Sequence, residues 1–443
     1  MKTPSFLLLL ALLAAPAARA QSAPPPAPGP AIGLTLDDCL KLAAAQQPAL
    51  AAAQAGVTAA EAAVGEAHAP YYPSVDFNAG YHRWQRRAFL PSGLVLPGRP
   101  LPELIGPLDD WTGGLSSRVT LYDFGERRAG LDAAVARRAA ASADASAAQA
   151  DVRLSVQTAF YTLAAAEDMQ VVAQKNLDRT QRHLHLAEAR RQSGAVPQAD
   201  VLRMQAEVAA ADLQVIGARS RVRIATGQLN TAMGRPAETA LTIAPPAVAP
   251  PPTDATDPAA AADRALAHRP ELASAEKRTE AAKAGVTAAR AASTPKLRAD
   301  GSYGWNDTGF LPETREWQAG LSIDLPVFDG GSRAHRLARS RAELAREESR
   351  LEAQRLQVRQ EVWAAATELD RTWASIAANE TAVKASEESL RVVQERYESG
   401  AAVITDLLDT QTALARAEAS LAGARWDYLA ARAAYDRATG ASP

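Results

Sequence analysis

Two stretches of this 443-residue chain, one between Gly130 and Gly194 and one from Ser332 to Ser399, contain neither glycine nor proline. An α-helix advances about 1.5 Å per residue, so each stretch makes a rod on the order of 100 Å long, too long to pack inside a globule. Apolar residues recur along the rods at seven-residue spacing, as in Leu337, Leu344, Leu351 and Val358, and in Val383 and Leu390 matched by Leu177 and Leu184. That is the seam of a coiled coil. Each rod ends in a glycine turn, Gly194-Ala195-Val196-Pro197 or Gly400-Ala401-Ala402-Val403, and a second helix returns to a capping glycine, Gly234 or Gly440. The spacing predicts two long helical hairpins. Abundant alanine and an aromatic content of 5% agree, because alanine favours helix and close helix contact while adding little core volume.

The two hairpins belong to an internal duplication. Gln47-Pro48-Ala49-Leu50-Ala51 recurs as Arg269-Pro270-Glu271-Leu272-Ala273, an offset of 222 that also relates Pro73 to Pro295 and Tyr81 to Tyr303. From Tyr122-Asp123 against Phe328-Asp329 the offset is 206, and it holds without a gap through Ser193/Ser399, Asp200/Asp406, Leu202/Leu408 and Gln205/Gln411 to Gly234/Gly440. The first copy therefore carries sixteen extra residues between Tyr81 and Tyr122, where Pro91-Ser92-Gly93 and Leu96-Pro97-Gly98-Arg99-Pro100 read as a loop.

Each copy opens with a short helix, Leu36 to His68 and Asp257 to Ala292, and then changes period. Val75, Phe77, Ala79 and Tyr81 alternate with Ser74, Asp76, Asn78, Gly80 and His82, and Leu297, Ala299, Gly301, Tyr303 and Trp305 repeat the pattern. Return strands follow through Leu115, Val119 and Leu121, and through Trp317, Leu321 and Ile323. Four strands with one apolar face and aromatic ends (Tyr71, Tyr72, Trp84, Trp111, Trp305, Trp317) match transmembrane barrel strands. Four cannot close a barrel, and open edges are excluded from lipid. The first repeat is thus expected over 36–241, with strands at about 72–84 and 112–122 and a hairpin at about 126–234. The second spans 257–440, with strands at about 296–306 and 316–326 and a hairpin at about 332–440. A proline-rich leader (21–35) and connector (242–256) precede and join them.

Residues 1–20 read as an export signal, with Lys2, an apolar run from Phe6 to Ala15, and Ala18-Arg19-Ala20. The lone Cys39 excludes an internal disulfide and suits a buried small side chain. His183 and His185, two apart on a helix, point to different faces and make poor joint ligands, so no metal or other cofactor is expected. A net charge of −2 gives no case for nucleic acid. No phosphate loop, nucleophile elbow or His-Glu metal motif marks an enzyme, and no catalytic residue is assigned.

Long hairpins joined to strand pairs resemble the TolC-like outer-membrane efflux family over essentially the whole chain after the signal. The resemblance implies a mostly α protein with a small β part: a homotrimer whose protomers each give four strands to a shared β-barrel and two hairpins to a periplasmic tunnel. It implies an outer-membrane exit duct for efflux or type I secretion, set in outer-membrane lipid and served by a periplasmic adaptor (a membrane fusion protein) and an inner-membrane pump. Tyr397-Glu398-Ser399-Gly400 through Asp409 looks like the family's tunnel-closing segment, with Asp406 and Asp409 as stacked carboxylate rings, since residues three apart share a helix face. Tyr397 and Asp200 match the latch positions. The basic residue that some relatives carry after the turn is replaced by Ala402, leaving Arg396 or Arg203 as candidate substitutes. Copy one has Asp200 alone, with Arg191 and Arg203 at the places of Tyr397 and Asp409, so the gate falls chiefly to the second hairpin. The turns Ser193-Gly194-Ala195-Val196 and Ser399-Gly400-Ala401-Ala402 resemble the adaptor-contact tips. A soluble periplasmic adaptor or structural coiled-coil protein is the alternative reading of long hairpins.

Overall fold

The computed structural model describes residues 33–85, 88–89, 95–96, 99–100, 104–105, 108–246, 257–310 and 315–441. The export signal, most of the proline-rich leader and residues 247–256 of the connector lie outside the described residues. In chain order the elements are α1 (Leu36–Gln46), α2 (Pro48–His68), β1 (Ser74–Trp84), four two-residue strands β2 to β5 between 88 and 105, β6 (Leu108–Tyr122), α3 (Glu126–Gln192) and α4 (Gln198–Ala232). The second copy gives α5 (Pro258–His268), α6 (Pro270–Ala291), β7 (Lys296–Asp307), β8 (Glu316–Asp324), α7 (Ser332–Glu398) and α8 (Ile404–Thr439).

The single short helix expected at the start of each copy is two helices. Proline has no amide hydrogen and drives the preceding residue out of the helical region. Accordingly Gln47 (ψ 117) and Arg269 (ψ 125) are extended and break the helices at Pro48 and Pro270. The freed side chains tie down other elements: the Gln47 amide donates to the Ala232 carbonyl at the end of α4 (2.7 Å), and Arg269 pairs with Glu361 of α7. The insertion of the first copy also departs from a plain loop, for it contains two short antiparallel ladders, β2 with β5 and β3 with β4.

Strands β1, β6, β7 and β8 form one antiparallel sheet in that order. The register sets Phe77, Leu115, Tyr303 and Trp317 in one row across all four strands, and Asp76, Ser116, Ser302 and Gln318 in a row on the other face. All four apolar residues of the first row are exposed, so the apolar face is uncovered within the protomer. Glycine is required where this sheet is closest packed: a Cβ at Gly113 would run into the Trp305 indole. Among the described residues, β1 and β8 each keep one unpaired edge.

The strand-to-helix passages are the same device twice. Asp123 accepts from the amides of Gly125 (3.2 Å) and Arg127 (3.0 Å) and from Arg127 Nε (2.7 Å). Asp329 accepts from Gly331 (3.2 Å), Arg333 (3.0 Å) and Arg333 Nε (2.8 Å). The arginine continues past the carboxylate: Arg127 donates to the Pro70 carbonyl (3.1 Å) and lies 4.8 Å over the Tyr71 ring, while Arg333 donates to the Pro326 carbonyl.

Below the sheet, α3 packs between α2 and α6, and α6 packs on α7; further down the helices order as α4, α3, α8, α7. The largest apolar core lies at mid-length, where Phe160 and Leu163 of α3, Leu229 of α4, Leu369 of α7 and Tyr428 and Tyr435 of α8 are almost completely buried. A charged belt adjoins it: Arg437 donates to Asp151 (2.7 Å) and Glu271, and Arg269 lies 3.5 Å from Glu271. Burial alone would raise the Glu271 carboxyl, but the bond from Arg437 and the charges of Arg437 and Arg269 outweigh it and hold it below the usual range.

Candidate functional site at the hairpin tips

Both rods stop for the same local reason. The Gly194 amide donates to Arg191 (2.9 Å) and the Ala195 amide to Arg190 (2.8 Å), and Gly400 and Ala401 repeat the pattern with Tyr397 (3.0 Å) and Arg396 (2.7 Å). This crossed pair requires a left-handed residue after the helix. Gly194 (φ +79) and Gly400 (φ +81) supply it at no steric cost. Ser193 and Ser399 each return a hydroxyl bond to the carbonyl three residues back (2.9 and 3.0 Å). Ser193, Gly194, Ala195, Ser399, Gly400 and Ala401 are exposed, while Val196 and Ala402 are half-buried.

The two tips are held side by side by a small apolar cluster drawn from all four long helices. It comprises Ala187 of α3, Val201 and Met204 of α4, Leu390 and Tyr397 of α7, and Ile404, Leu407 and Leu414 of α8. Burying Ile404, Leu407 and Gln411 on one face of α8 turns Asp406 and Asp409 to the other, where both are exposed. Neither carboxylate has a hydrogen-bond or ion-pair partner among the described residues. They share a helix face three residues apart, and Asp406 stands in the first turn of α8, where the helix dipole favours negative charge.

Tyr397 is 2% exposed, and its hydroxyl is buried without a hydrogen-bond partner among the described residues. Burial raises its pKa; the charge of Arg190 opposes this and that of Asp200 adds to it. The structure therefore brings Tyr397 and Asp200 into one neighbourhood without a hydrogen bond between them.

The basic residue that reaches Tyr397 is Arg190. Its guanidinium lies 4.8 Å over the Tyr397 ring and donates to the Tyr397 backbone carbonyl. Arg190 sits in the last turn of α3, and the carbonyl it caps is in the last turn of α7, so one cation serves the negative ends of two helices. Of the candidates named from the sequence, Arg396 reaches only its own turn among the described residues, at the Ala401 carbonyl (3.4 Å), and Arg203 is exposed. Arg190 is the repeat counterpart of Arg396.

Above the tips a polar layer joins α3 to α8. Gln411 donates to the Thr180 hydroxyl and, at 3.4 Å, to Asn176. Arg179 and Glu418 form a two-pronged ion pair (3.1 and 2.6 Å) with side chains about one-sixth exposed. Such bidentate geometry is the strong form of the contact.

A family model described as outer membrane efflux protein matches residues 39–235 and 261–441. Among relatives, Protein CyaE of Bordetella pertussis is 31% identical over 412 residues, covering 90% of this chain and 83% of that one. The pyoverdine export outer membrane protein OpmQ of Pseudomonas putida is 28% identical over 420 residues, covering 91% and 85%. Among solved structures, the outer-membrane channel OprN superposes with a TM-score of 0.81 at 24% identity, covering 92% of this chain and 90% of that one. The outer membrane protein VceC of Vibrio cholerae gives 0.79 at 22%, covering 91% and 96%.

Proposed function

The chain belongs to the outer membrane efflux protein family, and from that premise we propose that three copies form a passive duct fed by an inner-membrane pump through a periplasmic adaptor. As an outer-membrane exit duct it places its strands in the membrane and its hairpins in the periplasm. The trimeric reading is supported by the sheet: an amphipathic four-stranded sheet with two open edges is unstable in lipid alone, and three sheets joined β1 to β8 have no edge left. Pump and adaptor set the choice of cargo, because the duct only conducts.

The observation that carries the gate is the exposed, unpaired Asp406/Asp409 pair at the start of α8. Three copies bring six carboxylates to the narrow end, a ring that attracts cations and repels anions. Arg190 closes each protomer from within by fastening α3 to α7, which supplies the cation missing at Ala402. The Tyr397 hydroxyl and Asp200 remain available for the latch. The exposed turns at Ser193 to Val196 and Ser399 to Ala402 are the surface offered to the adaptor.

Planar-bilayer conductance tests this reading. Asp406→Ala combined with Asp409→Ala is expected to lower the preference for cations over anions; unchanged selectivity would place the constriction elsewhere. Recovery of the wild-type chain as a soluble periplasmic monomer would overturn the duct itself.

A further inference from the structure

The duplication allows the surface between copies to be read from the surface within one. In a protomer, α3 meets α6 through a face marked by the ion pair of Asp144 with Arg278 (2.6 Å). Residues one helical turn from Asp144 on that face, Ala140 and Ala147, are buried, and the stripe continues upward through Ala136, Ala133 and Ala129, all less than a tenth exposed. The matching face of α6 carries Ser274 and Ala281, both buried, then Gly285 and Ala288. This seam is small side chain against small side chain.

The repeat equivalents of those two faces have no helix packed on them among the described residues of the protomer. At the offset of 206, Ala129, Ala133, Ala136 and Ala140 become His335, Arg339, Ala342 and Arg346 of α7, every one exposed. At the offset of 222, Ser274, Ala281, Gly285 and Ala288 become Ala52, Ala59, Ala63 and Glu66 of α2, also exposed. Helix α7 does pack on α6, but through the half-buried stripe Leu337, Leu344 and Leu351. Its other face is left over.

Resting on the trimeric reading above, we propose that neighbouring copies join α2 of one to α7 of the next in the register that α6 and α3 use within a copy, with Glu66 and Arg339 as the ion pair between them. Position 278 opposite 144 maps onto Gly56 opposite Arg350. The helices run antiparallel, so ten residues up α2 and ten back along α7 bring Glu66 level with Ser340, beside Arg339. Glu66 has no ion-pair partner among the described residues, and Arg339 has only a loose contact with Glu343 at 3.6 Å. The small face of α2, Ala52, Gly56, Ala59 and Ala63, leaves room for the stems of Arg346 and Arg350, which cover apolar surface while their heads stay wet. The seam between copies is thus arginine on alanine, where the seam within a copy is alanine on alanine.

Cysteine pairs test the register in the full chain in outer membranes. Ala63→Cys with Ala342→Cys replaces two exposed alanines with no ion pair at stake, and a short bismaleimide is expected to convert it to covalent dimers and trimers on denaturing gels. Ala63→Cys with Ala353→Cys, on the same face but about 16 Å lower, is expected to stay monomeric there. Cys39 is fully buried, its thiol pushed up to about 11 by burial, and does not interfere. Native electrophoresis of the same samples separates the outcomes. Assembled trimers that crosslink at 353, or at neither position, overturn this seam and leave the trimer standing; monomers on the native gel overturn both. As a second measurement, Glu66→Arg is expected to cost the trimer its resistance to dissociation by detergent on warming, and Arg339→Glu in the same chain to restore it; failure of restoration overturns the pair.

Discussion

At the scale of single residues, Arg190 decides how the tip is held. It combines a cation over an aromatic face with a hydrogen bond to a helix-end carbonyl, each worth on the order of 1 kcal/mol in a partly wet site. Arg190→Ala is expected to loosen the contact between α3 and α7 and raise single-channel conductance, and Arg190→Lys to restore closure only in part, because an ammonium keeps the charge and loses the planar fork. A conductance unchanged by Arg190→Ala would make the clasp ornamental. The sequence offered Asp406, Asp409 and Tyr397 through the resemblance of the segment around the second glycine turn to the family's tunnel-closing segment. It could not point to Arg190, whose contact joins residues 207 apart in the chain; the clue it did hold was that Arg190 and Arg396 occupy one repeat position.

At the scale of elements, the rods were legible because glycine and proline are the strong breakers and both are absent for so long. The same logic holds at their flanks, where the expectation of one helix per copy gives way to two: Pro48 and Pro270 each split a helix. In the sequence, the aspartate of the strand-to-helix passage marks only the duplication, as Asp123 and Asp329. Its function depends on two backbone amides converging on one carboxylate, a geometry that alternation and heptads do not encode. Asp123→Ala removes three hydrogen bonds and strands Arg127, in a pair whose side chains are 9% and 16% exposed, so a loss of about 3 kcal/mol is expected. Asp329→Ala is expected to cost less, because that pair is wetter, at 30% and 17%. Thermal unfolding of the two variants side by side checks the order, and equal losses would mean that burial is not what sets the strength of this junction.

At the scale of the whole molecule, the alternating strands announced a sheet with one apolar face, and the register shows what that face presents. Trp317 is 77% exposed in the protomer, whereas Trp426, which donates to Asp168 (2.7 Å), is 8% exposed in the helical core. In membranes with brominated acyl chains, Trp317→Phe is therefore expected to remove part of the quenchable fluorescence, and Trp426→Phe to leave the quenched fraction intact. A quenched fraction indifferent to Trp317→Phe would place the apolar face away from lipid. The order of the strands was not legible, because pairing between copies one and two is a choice among edges that look alike along the chain.

The unbroken length of α3 and α7 has a mechanical consequence. Each is a stiff beam, gripped near its middle by the aromatic core and tied at its lower end only to the other helices of the tip, with about 30 residues, or roughly 45 Å, between fulcrum and tip. A tilt of about 10° at the fulcrum sweeps the end through roughly 8 Å, enough to carry a carboxylate clear of its neighbours. The clasp at Arg190 ties the two beams of one protomer together, so in the trimeric duct proposed above an opening motion involves three blades rather than six.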